Sequence, residues 1–239
     1  MSRHFPYQHP LFGSPKRPLP DNYRHRSVYF WWFEYLRRNE EYRLTCQNGG
    51  TGSCADLFED FGDIYDCDFK TWWQTGGRGV RLFAEPQTDS IKVISKHDIN
   101  QTYSDQNSLL LSVPLDLPIT FLVKAFRDIV SKHHTGKRGQ RHNAKSNAKY
   151  KVFGKVDVLF LQIALQVWDT RQSNPTKPLW QIGNELRLGS KQNLLKSNEI
   201  NASNPEVRDK KNILAVTTSR YVKKAQNMIE RTGQGRFPN

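Results

Sequence analysis

The sequence predicts a mainly helical protein with a small antiparallel β-sheet, an α+β fold, and three observations carry that expectation. Apolar residues recur at helical spacing along most of the 239-residue chain. One stretch, "VRLFAEPQTDSIKVIS", changes to short apolar runs around a turn-like centre, as a β-hairpin does. Although only 36% of residues are hydrophobic, 13 Phe, 9 Tyr and 6 Trp supply enough buried area for a real core, which excludes disorder throughout.

Taken in order, residues 1–26 are basic and proline-rich without a long apolar run, and read as an extended arm and not a targeting segment. "SVYFWWFEYLRRNEEYRLTC" follows as an amphipathic helix capped by Ser27, with Val28, Trp31, Trp32, Tyr35 and Leu36 on one side. After the turn "QNGGTGS", Ser53 is placed to cap a short helix through "CADLFEDFG". "CDFKTWWQTGG" gives a third, opened by Asp68 and ended by Gly76 and Gly77. "VRLFA" and "IKVIS" make the hairpin, "LLLSVPLDLP" adds a strand, and "ITFLVKAFRDIVSKHH" returns to helix behind Pro118. These elements form an N-terminal domain over 27–134, and a basic linker over 135–155 follows.

The remaining chain, 156–239, reads as a helical domain. "VDVLFLQIALQVWDTRQSN" is amphipathic, with Val158, Leu161, Leu165 and Trp168 on one face. Pro178 sets up a short helix over Leu179–Leu188, a polar connection follows, and a long basic helix runs to Gly233. In that helix Ile213, Val216, Tyr221, Val222, Ala225 and Ile229 form the expected buried stripe.

Charge narrows the function. A formal net charge of +13 and a pI near 9.7 call for a polyanionic partner, nucleic acid first and an anionic membrane surface second. "SKHHTGKRGQRHNAKSNAKYK" holds no acidic residue, and Lys137, Arg138, Arg141, Lys145, Lys149 and Lys151 are spaced by small polar residues as a ribbon that can follow phosphates. A solvated linker is the plain alternative.

The order of C-terminal elements, with "LWQIGNELRL" before "TTSRYVKKAQNMI", resembles the helix-turn-helix DNA-binding proteins of bacterial mobile elements. The resemblance covers the last third of the chain. It implies that Gly183 lets the two helices approach, that Thr217, Thr218, Ser219 and Arg220 lie near base edges or phosphates, and that Lys223 and Lys224 lie near the backbone. The connection from Gly189 to Glu206 is longer than such a module carries and is expected to loop out. The expected function is double-stranded DNA binding by a regulator or an accessory subunit of a DNA-processing assembly.

Other chemistries are kept as alternatives. Asp56, Glu59, Asp60, Asp63, Asp66 and Asp68 form an acidic run that a Mg²⁺-dependent nuclease would need, or that meets a basic partner. Trp31, Trp32, Trp72 and Trp73 would stack on bases in an RNA-binding protein, if exposed. Cys46, Cys54, His133 and His134 lack the paired spacing of a zinc site, and "NGGTGSC" lacks the Gly-Lys-Ser/Thr end of a P-loop. No catalytic residue, metal or cofactor is therefore expected. The odd cysteine count favours a reducing cytoplasm, no membrane partner is expected, and the aromatic and acidic N-terminal half is left for protein contacts.

Overall fold

A computed structural model describes residues 5–14, 16–85, 109–133, 146, 148–202 and 204–238. Strands β1 (Gly13–Ser14) and β2 (Arg17–Pro18) pair antiparallel, Gly13 opposite Pro18. A 3₁₀ turn, Asp21–Arg26, leads into nine helices among the described residues. These are α1 (Val28–Leu36), α2 (Glu40–Gln47), α3 (Ala55–Phe61), α4 (Phe69–Gln74) and α5 (Arg78–Phe83) in the first half. The rest are α6 (Ile119–His133), α7 (Val158–Ser173), α8 (Leu179–Glu185) and α9 (Pro205–Gly233).

The mainly helical class with a small sheet holds, but the sheet lies in the N-terminal arm and not where the hairpin was expected. "VRLFA" is α5 and its surroundings. Gly79, Leu82 and Phe83 are buried there at helical spacing, and Gly79 lies so close to the Trp73 ring that a Cβ would meet it at 2.1 Å. Ile91–Ser95 lies outside the described residues, and Leu109–Pro118 contains no strand.

The expected first helix is two. Ser27 caps α1 by accepting from the Tyr29 N–H at 3.3 Å, as anticipated. The chain then breaks at Asn39, whose Oδ1 accepts from the Tyr42 N–H at 2.8 Å and starts α2. Asp68 caps α4 by accepting from the Thr71 N–H at 2.8 Å, whereas Ser53 caps nothing: Cys54 holds the N-cap position of α3 and makes no side-chain cap bond.

One core runs through both halves of the chain. Trp32, Phe33, Tyr35, Phe61, Trp72 and Phe83 fill its centre, Leu161, Ala164 and Leu165 join from α7, Ala225, Met228 and Ile229 from α9, and Phe237 from the end. The expected boundary between 27–134 and 156–239 is thus crossed by shared packing. The arm joins it too: Phe5, Tyr7 and Phe12 pack on this core, and the Ser27 hydroxyl donates to the Gln8 carbonyl at 2.9 Å. Tyr35 Oη donates to the Leu161 carbonyl at 2.9 Å, and Arg38 bridges Glu34 on α1 to Asp169 on α7. Among the described residues no helix is long and apolar enough to cross a membrane.

Two predictions follow from this packing. Asn39→Ala removes both the α2 cap and a donor to the Ile229 carbonyl (2.8 Å) at a buried site. It is expected to lower the unfolding free energy by about 2 kcal/mol in urea denaturation; an unchanged midpoint would contradict the role given to this amide. Burial pushes the Cys46 thiol up to about 11 and also raises that of buried Cys54. Both are expected to resist a thiol reagent at mildly alkaline pH until the protein is unfolded. A thiol raised in the folded state contributes its stability in full below about 8.5, where an unfolded thiol ionises, and loses it as pH rises through about 11. The denaturation midpoint therefore falls on the alkaline side.

Candidate nucleic-acid interface

The interface candidate is built on α7, α8 and α9. Asp157 caps α7 through the Leu159 and Phe160 N–H groups at 3.0 and 3.2 Å. Pro178 precedes α8, whose Ile182 and Gly183 are buried against α9. Gly183 is a point of close approach: a Cβ there would meet Thr218 Oγ1 at 2.4 Å and the Leu214 carbonyl at 3.1 Å. The small residue that the sequence marked at this position has that physical role.

The long connection does not simply loop out. Leu195 packs with Val207 and Leu214, flanked by Trp180, Leu194 and Ala202, and forms a second small core. Asn184 clamps it, accepting from the Leu195 N–H at 2.7 Å and donating to the Leu195 carbonyl at 3.4 Å. Lys210 pairs with Glu199 at 2.8 Å and Glu206 at 3.3 Å, and Lys211 sits 4.8 Å from the Trp180 ring centre. Those two lysines are thereby committed to local structure. Their neighbour Asn204 opens α9 by accepting from the Val207 N–H at 2.9 Å.

With α9 held at both ends, its solvent side is defined. Arg208, Asn212, Val216, Arg220, Lys223 and Asn227 are exposed and follow one another every three or four residues along a single face. Arg220, Lys223 and Lys224 have no carboxylate partner among the described residues. Lys224 Nζ lies 5.3 Å from the Phe160 ring centre, and Phe160 stacks on Tyr221 at 5.4 Å. This arrangement leaves a cationic surface on a rigid helix, anchored beside an aromatic pair.

The residues singled out in the sequence fare differently. Arg220, Lys223 and Lys224 share the exposed side of α9, and Thr217 and Ser219 flank it, half-buried. Thr218 is a correction. It is fully buried beneath Gly183, its hydroxyl donates to the Leu214 carbonyl at 2.7 Å, and it is unable to reach a ligand. The expected buried stripe is corrected as well: Ile213 and Val216 are exposed, and Leu214 and Thr218 take the inner positions. Arg208, Asn212 and Asn227 were missed, although steps of three and four from Arg220 lead to them.

In the ribbon, Lys149 pairs with Asp60 at 2.6 Å and so is not a free cation, whereas Lys151 is exposed. Lys137, Arg138, Arg141 and Lys145 lie outside the described residues. The acidic run is dispersed in its duties. Asp60 accepts from Tyr150 Oη at 2.7 Å besides meeting Lys149, Asp63 accepts from the Tyr65 N–H at 2.8 Å, and Asp68 serves as a cap. Hydrogen bonds from Thr71, with smaller help from Arg24 and Lys70, hold the Asp68 carboxyl below the usual carboxylate range. Among the described residues no group of three or more His, Cys, Asp or Glu is placed to hold a metal ion. Trp31, Trp32, Trp72 and Trp73 are buried in the core, so none presents a face for base stacking.

Comparison with protein-family models, with curated proteins and with solved structures finds no match to this chain.

The Gly183–Thr218 contact yields its own test. Thr218→Ala removes a buried hydroxyl and methyl, and is expected to cost about 1 kcal/mol of stability. Affinity for nucleic acid should stay at the wild-type value. Loss of binding with unchanged stability would return Thr218 to the interface.

Proposed function

We propose that this chain binds double-stranded DNA through the solvent face of α9, as a regulator or an accessory subunit of a DNA-processing assembly. One observation carries the reading: Arg220, Lys223 and Lys224 are exposed, without a carboxylate partner among the described residues, and on one rigid helix. A helix is about 10–12 Å across with its side chains and fits the major groove of B-form DNA. Arg220 and Asn212 bring donors suited to base edges, and Lys223 and Lys224 bring charge to phosphates.

The short α8, seated on α9 at Gly183, supports the likeness to a helix-turn-helix module. Burial of the four tryptophans weighs against base stacking, and Asp60, Asp63 and Asp68 of the acidic run are each engaged in local hydrogen bonds. Asp56, Glu59 and Asp66 remain exposed and are the part of the N-terminal half that suits a basic protein partner.

Titration with duplex DNA, single-stranded DNA and RNA at several salt concentrations tests this reading. Wild type is expected to prefer duplex DNA, with affinity falling steeply as salt rises. Arg220→Ala with Lys223→Ala and Lys224→Ala should weaken duplex binding and make the log–log salt slope shallower by about 2–3. Equal binding by the triple variant, or a preference for single strands, overturns the proposal.

A further inference from the structure

Among the described residues α6 is the one α-helix with no buried residue. Its apolar side chains are nevertheless ordered in position. Ile119, Leu122, Val123, Phe126, Ile129 and Val130 recur at steps of three and one, which collects these six within about 120° of the helix circumference, with exposed Phe121 outside that arc. They are not covered: Ile119 is 79% exposed and Val123 61%, and no other described helix packs along α6. The preceding residues extend the same character, Leu115 being 87% exposed, and with α6 they form an apolar groove of about 420 Å³.

The cations stand around this face in an ordered way. At 100° per residue, Arg127 and Lys132 mark its two margins and Lys124 lies opposite. From Leu109 to Lys151 the only acidic residues are Asp116 and Asp128, against nine lysines and arginines. Two copies of such a segment would set like charge against like charge. An anionic partner is matched in charge, and one that accepts a long apolar stripe with margins of Arg and Lys is the surface of a bilayer.

We propose that α6 lies in the interface of an anionic membrane, its apolar stripe among the acyl chains and its marginal cations at lipid phosphates and carboxylates. At 15 residues α6 is about 22 Å long, too short to span the hydrocarbon layer, so the association is parallel to the surface. The basic stretch that follows in the sequence adds the second, electrostatic signal that a single short amphipathic helix needs for stable attachment. This surface is separate from the solvent face of α9, and the inference stands or falls independently of DNA binding.

Flotation of the full chain with vesicles of mixed phosphatidylserine and phosphatidylcholine, and of phosphatidylcholine alone, is the test. The wild type should float with the anionic vesicles, with partitioning reduced about tenfold on neutral ones. Val123→Glu with Phe126→Glu should abolish flotation while helical content and duplex affinity stay as in wild type. Absence of wild-type flotation overturns the proposal, and so does equal flotation by the double variant, which would leave the basic stretch acting alone. A wild-type dimer that the double variant converts to monomer, without wild-type flotation, would assign the stripe to a second copy of the chain instead.

Discussion

Asn39 is buried where the first and last thirds of the chain meet, and the orientation of everything on α9 depends on it. Its Oδ1 starts α2, its Nδ2 donates to the Ile229 carbonyl, and Gly233 lies so close that a Cβ there would meet the Asn39 amide at 2.5 Å. An unsatisfied buried amide costs more than the net gain of a satisfied one, so this register is favoured over neighbouring ones. Once Ile229 is held, a rigid helix leaves no further choice. Ala225, Thr218, Leu214 and Val207 follow it inward at multiples of the helical period, and Val216, Arg220, Lys223 and Asn227 face outward. A contact near residue 39 thereby aims side chains several turns away.

That dependence also shows why some of the fold was readable in the sequence and some was not. Strong local signals were enough for Asp68 at the start of α4, for Pro118 before α6, and for α7 and α9 with Gly233 at its end. Each has a cap or a breaker at its end, and α6, α7 and α9 add a long periodic run. "VRLFA" misled because Val, Leu and Phe suit a strand equally well by composition. Its helical state comes from Gly79 seated on Trp73, a contact that no local pattern announces. The break at Asn39 escaped for the same reason, since the residue acts through a carbonyl 190 positions away.

The candidate site was readable to the same depth. Arg220, Lys223 and Lys224 stood out by charge, and Gly183 by its size. Thr218 looked like its neighbours Thr217 and Ser219 but is turned inward, because α8 crosses α9 there. Ile213 and Val216 looked buried by hydropathy, yet Leu214 and Thr218 occupy the inward azimuth set by Ile229. Hydropathy ranks residues; only the tertiary anchor decides which arc of the helix is turned in.

The distribution of charge then has a physical reading. Part of the positive charge on the described elements is matched where it stabilises the fold: Arg38 with Glu34 and Asp169, Lys149 with Asp60, Lys210 with Glu199 and Glu206, Lys177 with Glu185. Matched pairs at the surface hold geometry and project little field beyond a Debye length. Cations left unmatched on α9 and around α6 project field outward. The two settings differ in their neighbours. On α9 the intervening exposed residues include Asn212 and Asn227, which present hydrogen-bonding edges, whereas on α6 the cations border a stripe with no polar atoms in its side chains. Polar edges beside charge suit a grooved, hydrogen-bonding polyanion, and hydrocarbon beside charge suits an interface between water and lipid. The same excess of lysine and arginine thus leads to two surfaces of different chemistry, separated by what stands between the charges.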